Sequence, residues 1–197
     1  MSTETRKRTY RKRLRAEQEA ATRRRITEAA VKLHGTVGPA RTTVKAVADE
    51  AGVQRATVYR HFPTDESLFA ACSAHWYSLN PPPDPTAWAE ISDPDERLRV
   101  ALTQLYEWYE WAEPMLSNTL RDAPVVPAMR AASEQFAGVF EAIGAILLHG
   151  RPERGRRRKR AAAAIALALA FPTWRTLVRE SGLGRDEAVE LMASRVG

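Results

Sequence analysis

The chain has 197 residues, a net charge of +6, 44% apolar residues and a single cysteine, Cys72. That length and apolar content suffice for one large or two small cores, and few glycines with scattered prolines favour helices over a sandwich. A lone thiol excludes an internal disulfide, no secretory signal is read at the start, and the longest apolar run, Ala161 to Phe171, is too short to cross a bilayer, so a soluble, cytoplasmic protein with no membrane partner is expected.

Charge is unevenly spread. Residues 1–25 hold ten Lys/Arg against three Glu and residues 151–160 hold seven against one, so a chain of +6 is left with −7 elsewhere. A uniformly basic protein would suit general coating of nucleic acid, whereas this asymmetry suits one basic end aimed at DNA and an acidic body kept off it.

Residues 1–16 read as a flexible basic arm carrying Arg6, Lys7, Arg8, Arg11, Lys12, Arg13 and Arg15 without apolar periodicity. A helical extension is the alternative, because Arg11 to Ala21 contains no breaker. A first helix is expected from about Glu17 to His34, burying Ile26, Ala29, Ala30 and Leu33, with Gly35 and Gly38 in the turn after it. Thr42 or Thr43 caps a second helix whose Val44, Val47, Ala48 and Ala51 form a narrow apolar stripe, and Gly52 ends it. Val53 fills the corner. A third helix, about Gln54 to His61, turns Val58 inward and presents Gln54, Arg55, Thr57, Tyr59, Arg60 and His61 outward. Phe62-Pro63 stops it, and Thr64 caps a fourth helix, Asp65 to about Ser78, with Ser67 leaving the capping box incomplete. The Pro81–Pro85 segment is a stiff break.

Two short helices around a glycine turn, the second lined with basic and hydrogen-bonding residues, have the layout of a helix-turn-helix DNA reader. Gln54, Arg55 and Thr57 are placed for base-edge contacts. Thr43, Tyr59, Arg60 and His61 are placed for phosphate, Tyr59 being able to do either, while Arg11 and Arg13 of the arm can reach the minor groove.

The same segment resembles the TetR family of bacterial transcriptional regulators. The resemblance covers about residues 20–75 and rests on Thr42-Thr43-Val44, Ala51-Gly52-Val53, the TVYRHF run from Thr57 to Phe62, Pro63, Glu66 and Leu68. Three positions depart from the usual pattern: Gln54 where serine is frequent, Ala56 where glycine is frequent, and Asp65 where a phosphate-binding lysine is common. An aspartate there repels phosphate.

Beyond the proline break, Pro94 opens a helix in which Leu98, Ala101, Leu102, Leu105, Trp108, Tyr109 and Ala112 recur at helical spacing, and a separate short helix is expected from Pro114. Met129, Ala132, Phe136, Val139, Phe140, Ile143 and Leu147 define another. The basic cluster Arg154 and Arg156 to Arg160 reads either as a solvated linker or as an anion or DNA site, since cations at a helix start oppose its dipole. Ala161 to Phe171, a kink at Pro172, and Trp174 to Arg179 precede a last helix from Arg185 to Arg195.

The expected fold is therefore all-α, an N-terminal three-helix helix-turn-helix domain (17–79) followed by a C-terminal helical bundle (80–197). The resemblance implies that this bundle binds a small-molecule effector and pairs with a second copy, without saying which residues do so. From the residues, Trp108, Tyr109, Phe136, Phe140 and Phe171 could line an apolar, aromatic pocket, or simply fill the core. Phe171, Trp174, Leu177, Leu191 and Met192 are candidate dimer contacts, or intrachain packing. Glu107, Glu110 and Glu113 near Trp108 and Trp111 suggest a cationic ligand, but Glu107 and Glu110 point largely away from a core face centred on Leu105, so a solvated face is the favoured alternative. A homodimer is expected because one reading helix contacts too few bases, and ligand would act by changing the separation of two such helices.

Nothing points to a cofactor or metal: His34, His61, His75 and His149 lack metal-ligand spacing and no phosphate loop or nucleophile elbow is present. Cys72 with His75 could couple a thiolate to a base, but no third group is apparent, so no enzyme is expected. The reading is a ligand-responsive homodimeric repressor on a palindromic operator, the alternative an architectural or partner-dependent DNA-binding protein.

Overall fold

The computed structural model describes residues 3–196, with side chains from Arg8 onward. Residues 1, 2 and 197 at the ends of the expected arm and bundle, and the side chains of Arg6 and Lys7, lie outside the described set. Among the described residues every regular element is helical. The chain forms two compact units, Met1–Leu79 with Asn118–Met129, and Asn80–Ser117 with Arg130–Gly197.

In the first unit α1 runs Thr3–Thr36, α2 Val44–Ala51, α3 Arg55–His61 and α4 Asp65–Leu79. The helix thus reaches back to Thr3, and the basic segment is a helical extension rather than an irregular arm, as the absence of a breaker allows. Ile26, Ala29 and Ala30 of α1 are buried with Val47, Ala48 and Ala51 of α2, Val58 of α3, and Leu68, Phe69, Cys72 and Trp76 of α4. Burying these apolar side chains is what holds the short helices, which would not persist alone.

Each boundary has a local cause. Thr43 Oγ1 accepts from the Ala46 amide at 3.1 Å, and Gly52 (φ 64°, ψ 41°) ends α2 with Val53 N donating to Ala48 O at 2.9 Å. At α4 the capping box is complete after all. Ser67 takes the place of the usual Glu or Gln: its amide donates to Thr64 Oγ1 at 3.2 Å, and Thr64 N donates to Ser67 Oγ at 3.3 Å.

The second unit contains α5 (Pro85–Ala89), the part of α6 up to Ser117, α7 (Arg130–Leu148), α8 (Gly155–Leu169), α9 (Phe171–Arg175), a π turn (Thr176–Glu180) and α10 (Arg185–Ala193). Helix α6 itself is continuous over Pro94–Asp122, so no separate helix begins at Pro114. Pro114 is exposed, and its missing amide hydrogen costs the helix only the bond to the Glu110 carbonyl. Leu98, Leu102, Leu105, Tyr106 and Tyr109 of α6 form the core with Leu147, Ile165, Leu169, Trp174 and Val189.

The bend near Pro172 is 65°. Proline has no amide hydrogen for the carbonyl of Ala168, and Thr173 N turns to Ala170 O instead of Leu169 O. Two buried tyrosines of α6 supply the missing donors: Tyr106 Oη to Ala168 O at 2.9 Å, and Tyr109 Oη to Leu169 O at 2.6 Å. Buried Arg97 similarly ties the start of α6 to the end of α7, donating to the carbonyls of Ile91, Ile146 and His149 at 2.6–3.0 Å.

Candidate nucleic-acid interface

Helix α3 is seven residues long, about 10 Å at 1.5 Å per residue, and its cylinder fits a major groove about 12 Å wide. Val58 and Phe62, four apart, are buried and hold one face of α3 to the core. Arg55, Tyr59 and Arg60 are exposed on the other side, Thr57 is half-buried, and exposed Gln54 precedes the helix as an N-cap whose side chain makes no capping bond. Arg55 and Arg60 make no ion pair among the described residues, although Lys45 pairs with Asp49 and Lys32 with Glu50, both at 2.6 Å. The charge on the reading face is thereby left available to an external anion.

His61 differs from the expected simple phosphate ligand. Its ring is half-buried, Nε2 is enclosed without a partner, and burial, then Arg60 and Arg23, hold its pKa below the usual imidazole value. Thr43 spends a hydroxyl lone pair on the α2 cap and keeps its proton to donate. Arg11 and Arg13 are both exposed on α1, Arg13 paired with Glu17 at 2.8 Å. Asp65, in place of a basic residue, is exposed in the first turn of α4, where a carboxylate complements the helix dipole.

Sequence spacing does not reveal what fixes α3. Arg23 of α1 donates to the His61 carbonyl at 2.7 Å and its guanidinium lies 4.1 Å from the centre of the Phe62 ring. It thus caps the end of the reading helix and stacks on its stop residue. The turn before α2 is held by the last turn of α6. Asn118 donates to the carbonyls of His34 and Gly35 at 3.1 and 2.9 Å, and Asp122 accepts the Ala40 amide at 2.9 Å while bonded to Arg121. Residues 118–129 therefore belong with the DNA-reading elements, and only the last turn of a helix otherwise in the bundle carries the signal.

Over residues 26–72 the chain matches the family model of the bacterial regulatory proteins of the tetR family. That match spans α2, α3 and most of α4, the helix-turn-helix segment itself. No curated protein sequence matches the chain. Among solved structures, a TetR-like transcriptional regulator from Rhodococcus sp. RHA1 is 20% identical, with 90% of this chain and 94% of that one covered and a TM-score of 0.64. NalD, the secondary repressor of the MexAB-OprM multidrug efflux pump in Pseudomonas aeruginosa, is 22% identical with 91% and 95% covered and a TM-score of 0.62. The multidrug binding protein EbrR, solved with imidazole, is 21% identical with 89% and 94% covered and a TM-score of 0.58. The whole chain thus has the TetR fold, a helix-turn-helix domain followed by a helical body.

Within that body, Trp108, Tyr109 and Phe171 come together with Trp174. Tyr109 meets Trp108 at 5.7 Å, Phe171 edge-on at 5.3 Å and Trp174 at 5.8 Å between ring centres. Phe136 and Phe140 are half-buried on α7. Phe171, Trp174 and Met192 are 7%, 0% and 6% exposed inside their own chain, so these three are core rather than surface for a partner, while Leu177 and Leu191 are half-buried. The carboxylates near Trp111 are also engaged, Glu113 with Arg179 at 2.8 Å and Glu110 with Arg185 at 3.5 Å, which removes the cationic-ligand reading. In the first unit a groove of about 300 Å³ is lined by His34, Val44, Val47, Leu68, Phe69 and Pro127.

Cys72 is buried and partnered by His34, with Sγ 3.4 Å from Nδ1, rather than by His75. Burial pushes the thiol up to about 12 and the His34 imidazole down to about 4, so neither is a thiolate or a cation near neutral pH. No group of three His, Cys, Asp or Glu placed to hold a metal occurs among the described residues.

Proposed function

We propose that the chain is a homodimeric, ligand-responsive repressor that reads a palindromic operator through α3. The observation that carries the reading is the division of α3 into a buried Val58–Phe62 edge and an exposed Arg55, Tyr59 and Arg60 face without internal charge partners. Gln54, Arg55 and Thr57 supply base contacts, Thr43, Tyr59 and Arg60 phosphate contacts, and Arg11 and Arg13 further backbone contacts from α1. Two chains are needed because one helix of this length covers only a half-site. The solved proteins named as a multidrug-binding protein and as an efflux-pump repressor share the fold, which supports an apolar or aromatic small-molecule effector and repression. That ligand would favour a pairing geometry in which the two α3 helices no longer match successive grooves.

Selection of bound sequences from a random duplex pool tests this reading, with an inverted repeat expected. Arg55→Ala should then lower affinity for the selected operator by about 5- to 150-fold for each half-site, from about 1–3 kcal/mol per lost base contact, with little change on random DNA. Equal loss on both would remove Arg55 from base reading, and recovery of unenriched DNA would favour an architectural role.

A further inference from the structure

Helix α8 opens with Arg156, Arg157, Arg158, Lys159 and Arg160, all exposed. Arg154 is not part of this surface: its guanidinium turns back onto the carbonyls of Arg151, Pro152 and Glu153 at 3.1, 3.0 and 3.0 Å. None of the five side chains that follow makes an ion pair or hydrogen bond among the described residues. Other arginines of the same unit do find carboxylates, Arg99 with Glu190, Arg151 with Asp95, Arg179 with Glu113 and Arg185 with Glu110.

The placement works against the helix. Five cations stand at the positive end of the macrodipole, and Arg156 repels Lys159 and Arg160 across one turn. Internal stability does not account for such a cluster, and charge that the protein leaves unneutralised attracts an external anion. Four of the five are arginines, whose planar fork fits phosphate through two parallel bonds. Arg156, Lys159 and Arg160 share a face and span about 6 Å of helix rise, near two nucleotide steps of one DNA strand. The residues that follow, Ala161 to Ala164, lack the large apolar side chains by which a lipid-surface helix inserts.

We propose that the first turns of α8 are a second, sequence-independent DNA-contact surface that grips the duplex phosphate backbone. The side chains form it, not the amide end of the helix, whose N-cap Arg154 follows Glu153. The inference rests on the DNA-binding reading above and adds a contact outside the helix-turn-helix.

The test compares the full chain with a variant combining Arg156→Gln, Arg157→Gln, Arg158→Gln, Lys159→Gln and Arg160→Gln, and with the matching variant that replaces the four arginines by lysine. Fluorescence anisotropy on a random-sequence duplex is followed over about 50–200 mM salt. With three side chains on one face, the glutamine variant should bind about tenfold more weakly at the low-salt end, with a log–log salt slope shallower by about 2–3. The lysine variant should keep the slope, and neither should melt below the wild type. An unchanged slope in the glutamine variant overturns the proposal. So does an unchanged slope accompanied by lost binding to phosphatidylserine vesicles, which assigns the cluster to a lipid surface instead. Wild-type protein that prefers its selected operator while the variant slope stays fixed refutes only this inference; wild-type protein that binds no duplex refutes the DNA-binding reading with it.

Discussion

His34 shows how one residue of the DNA-reading unit sets its response to pH. It is 7% exposed, and burial, opposed in part by the charge of Asp122, lowers its pKa from 6.5 to about 4. Above pH 6.5 the folded and unfolded forms are both neutral there and stability is complete. Below that value the unfolded chain takes up a proton that the folded chain refuses until about pH 4, so stability falls with pH across this window by about 3 kcal/mol in all. His61, also lowered, adds in the same direction. Asp122, lowered from 3.8, loses its stabilising contribution only at more acid pH and does not blur the window. Urea unfolding at several values between pH 7 and 4 should show this decline, and His34→Gln should flatten most of it; a parallel decline in the variant would assign the effect elsewhere.

At the level of elements, two glycines with positive φ separate backbone strain from steric fit. Gly52 (φ +64°) ends α2 with open space where a Cβ would point, so Gly52→Ala should cost about 1 kcal/mol, the strain of a left-handed alanine alone. A Cβ on Gly38 (φ +93°) would meet the Arg121 guanidinium and the Asp122 carboxylate that bind the turn before α2. Gly38→Ala should therefore cost about 2–4 kcal/mol, and equal losses of melting temperature in the two variants would show that this α6 contact is not holding the turn. Such long-range contacts mark the limit of what the sequence discloses. The ends of α2 and α3 were legible because Thr43, Gly52 and Phe62-Pro63 act within a few residues. The hold of Arg23 on His61, 38 positions away, leaves no periodic trace. Pro114 and the start of α8 misled for the same reason: tertiary packing of Leu116 and Ala112, and of Ala161 and Ile165, carries each helix through a locally unfavourable residue or charge.

Across the whole molecule, apolar surface is left over after each chain has folded, and it limits where the proposed second copy would pair. Of the apolar stretch Pro127–Leu148, long enough by composition to cross a membrane, only Met129, Ile143 and Leu147 are buried. Val139 on α7 and Leu167 on α8 are 48% and 58% exposed, with Ala163 and Ala166 exposed beside Leu167. Helices α7 and α8 pack on each other within the body, so these side chains lie on elements rigid enough to form a surface, and alanines let a facing backbone approach closely. With Phe171, Trp174 and Met192 committed to the intrachain core, Val139 and Leu167 join exposed Trp111 and half-buried Leu177 and Leu191 as candidates for pairing, and a stable interface needs about 1,000 Å² or more of such surface. Val139→Asp combined with Leu167→Asp removes no buried side chain and should leave the melting temperature of the dilute protein nearly unchanged. If a second copy covers α7 and α8, the same pair places charges in that contact. The proposed homodimer should then sediment as monomers, and affinity for an inverted repeat should fall about 100-fold or more as the second half-site ceases to be tethered. A variant that still sediments as a dimer would move the interface off Val139 and Leu167.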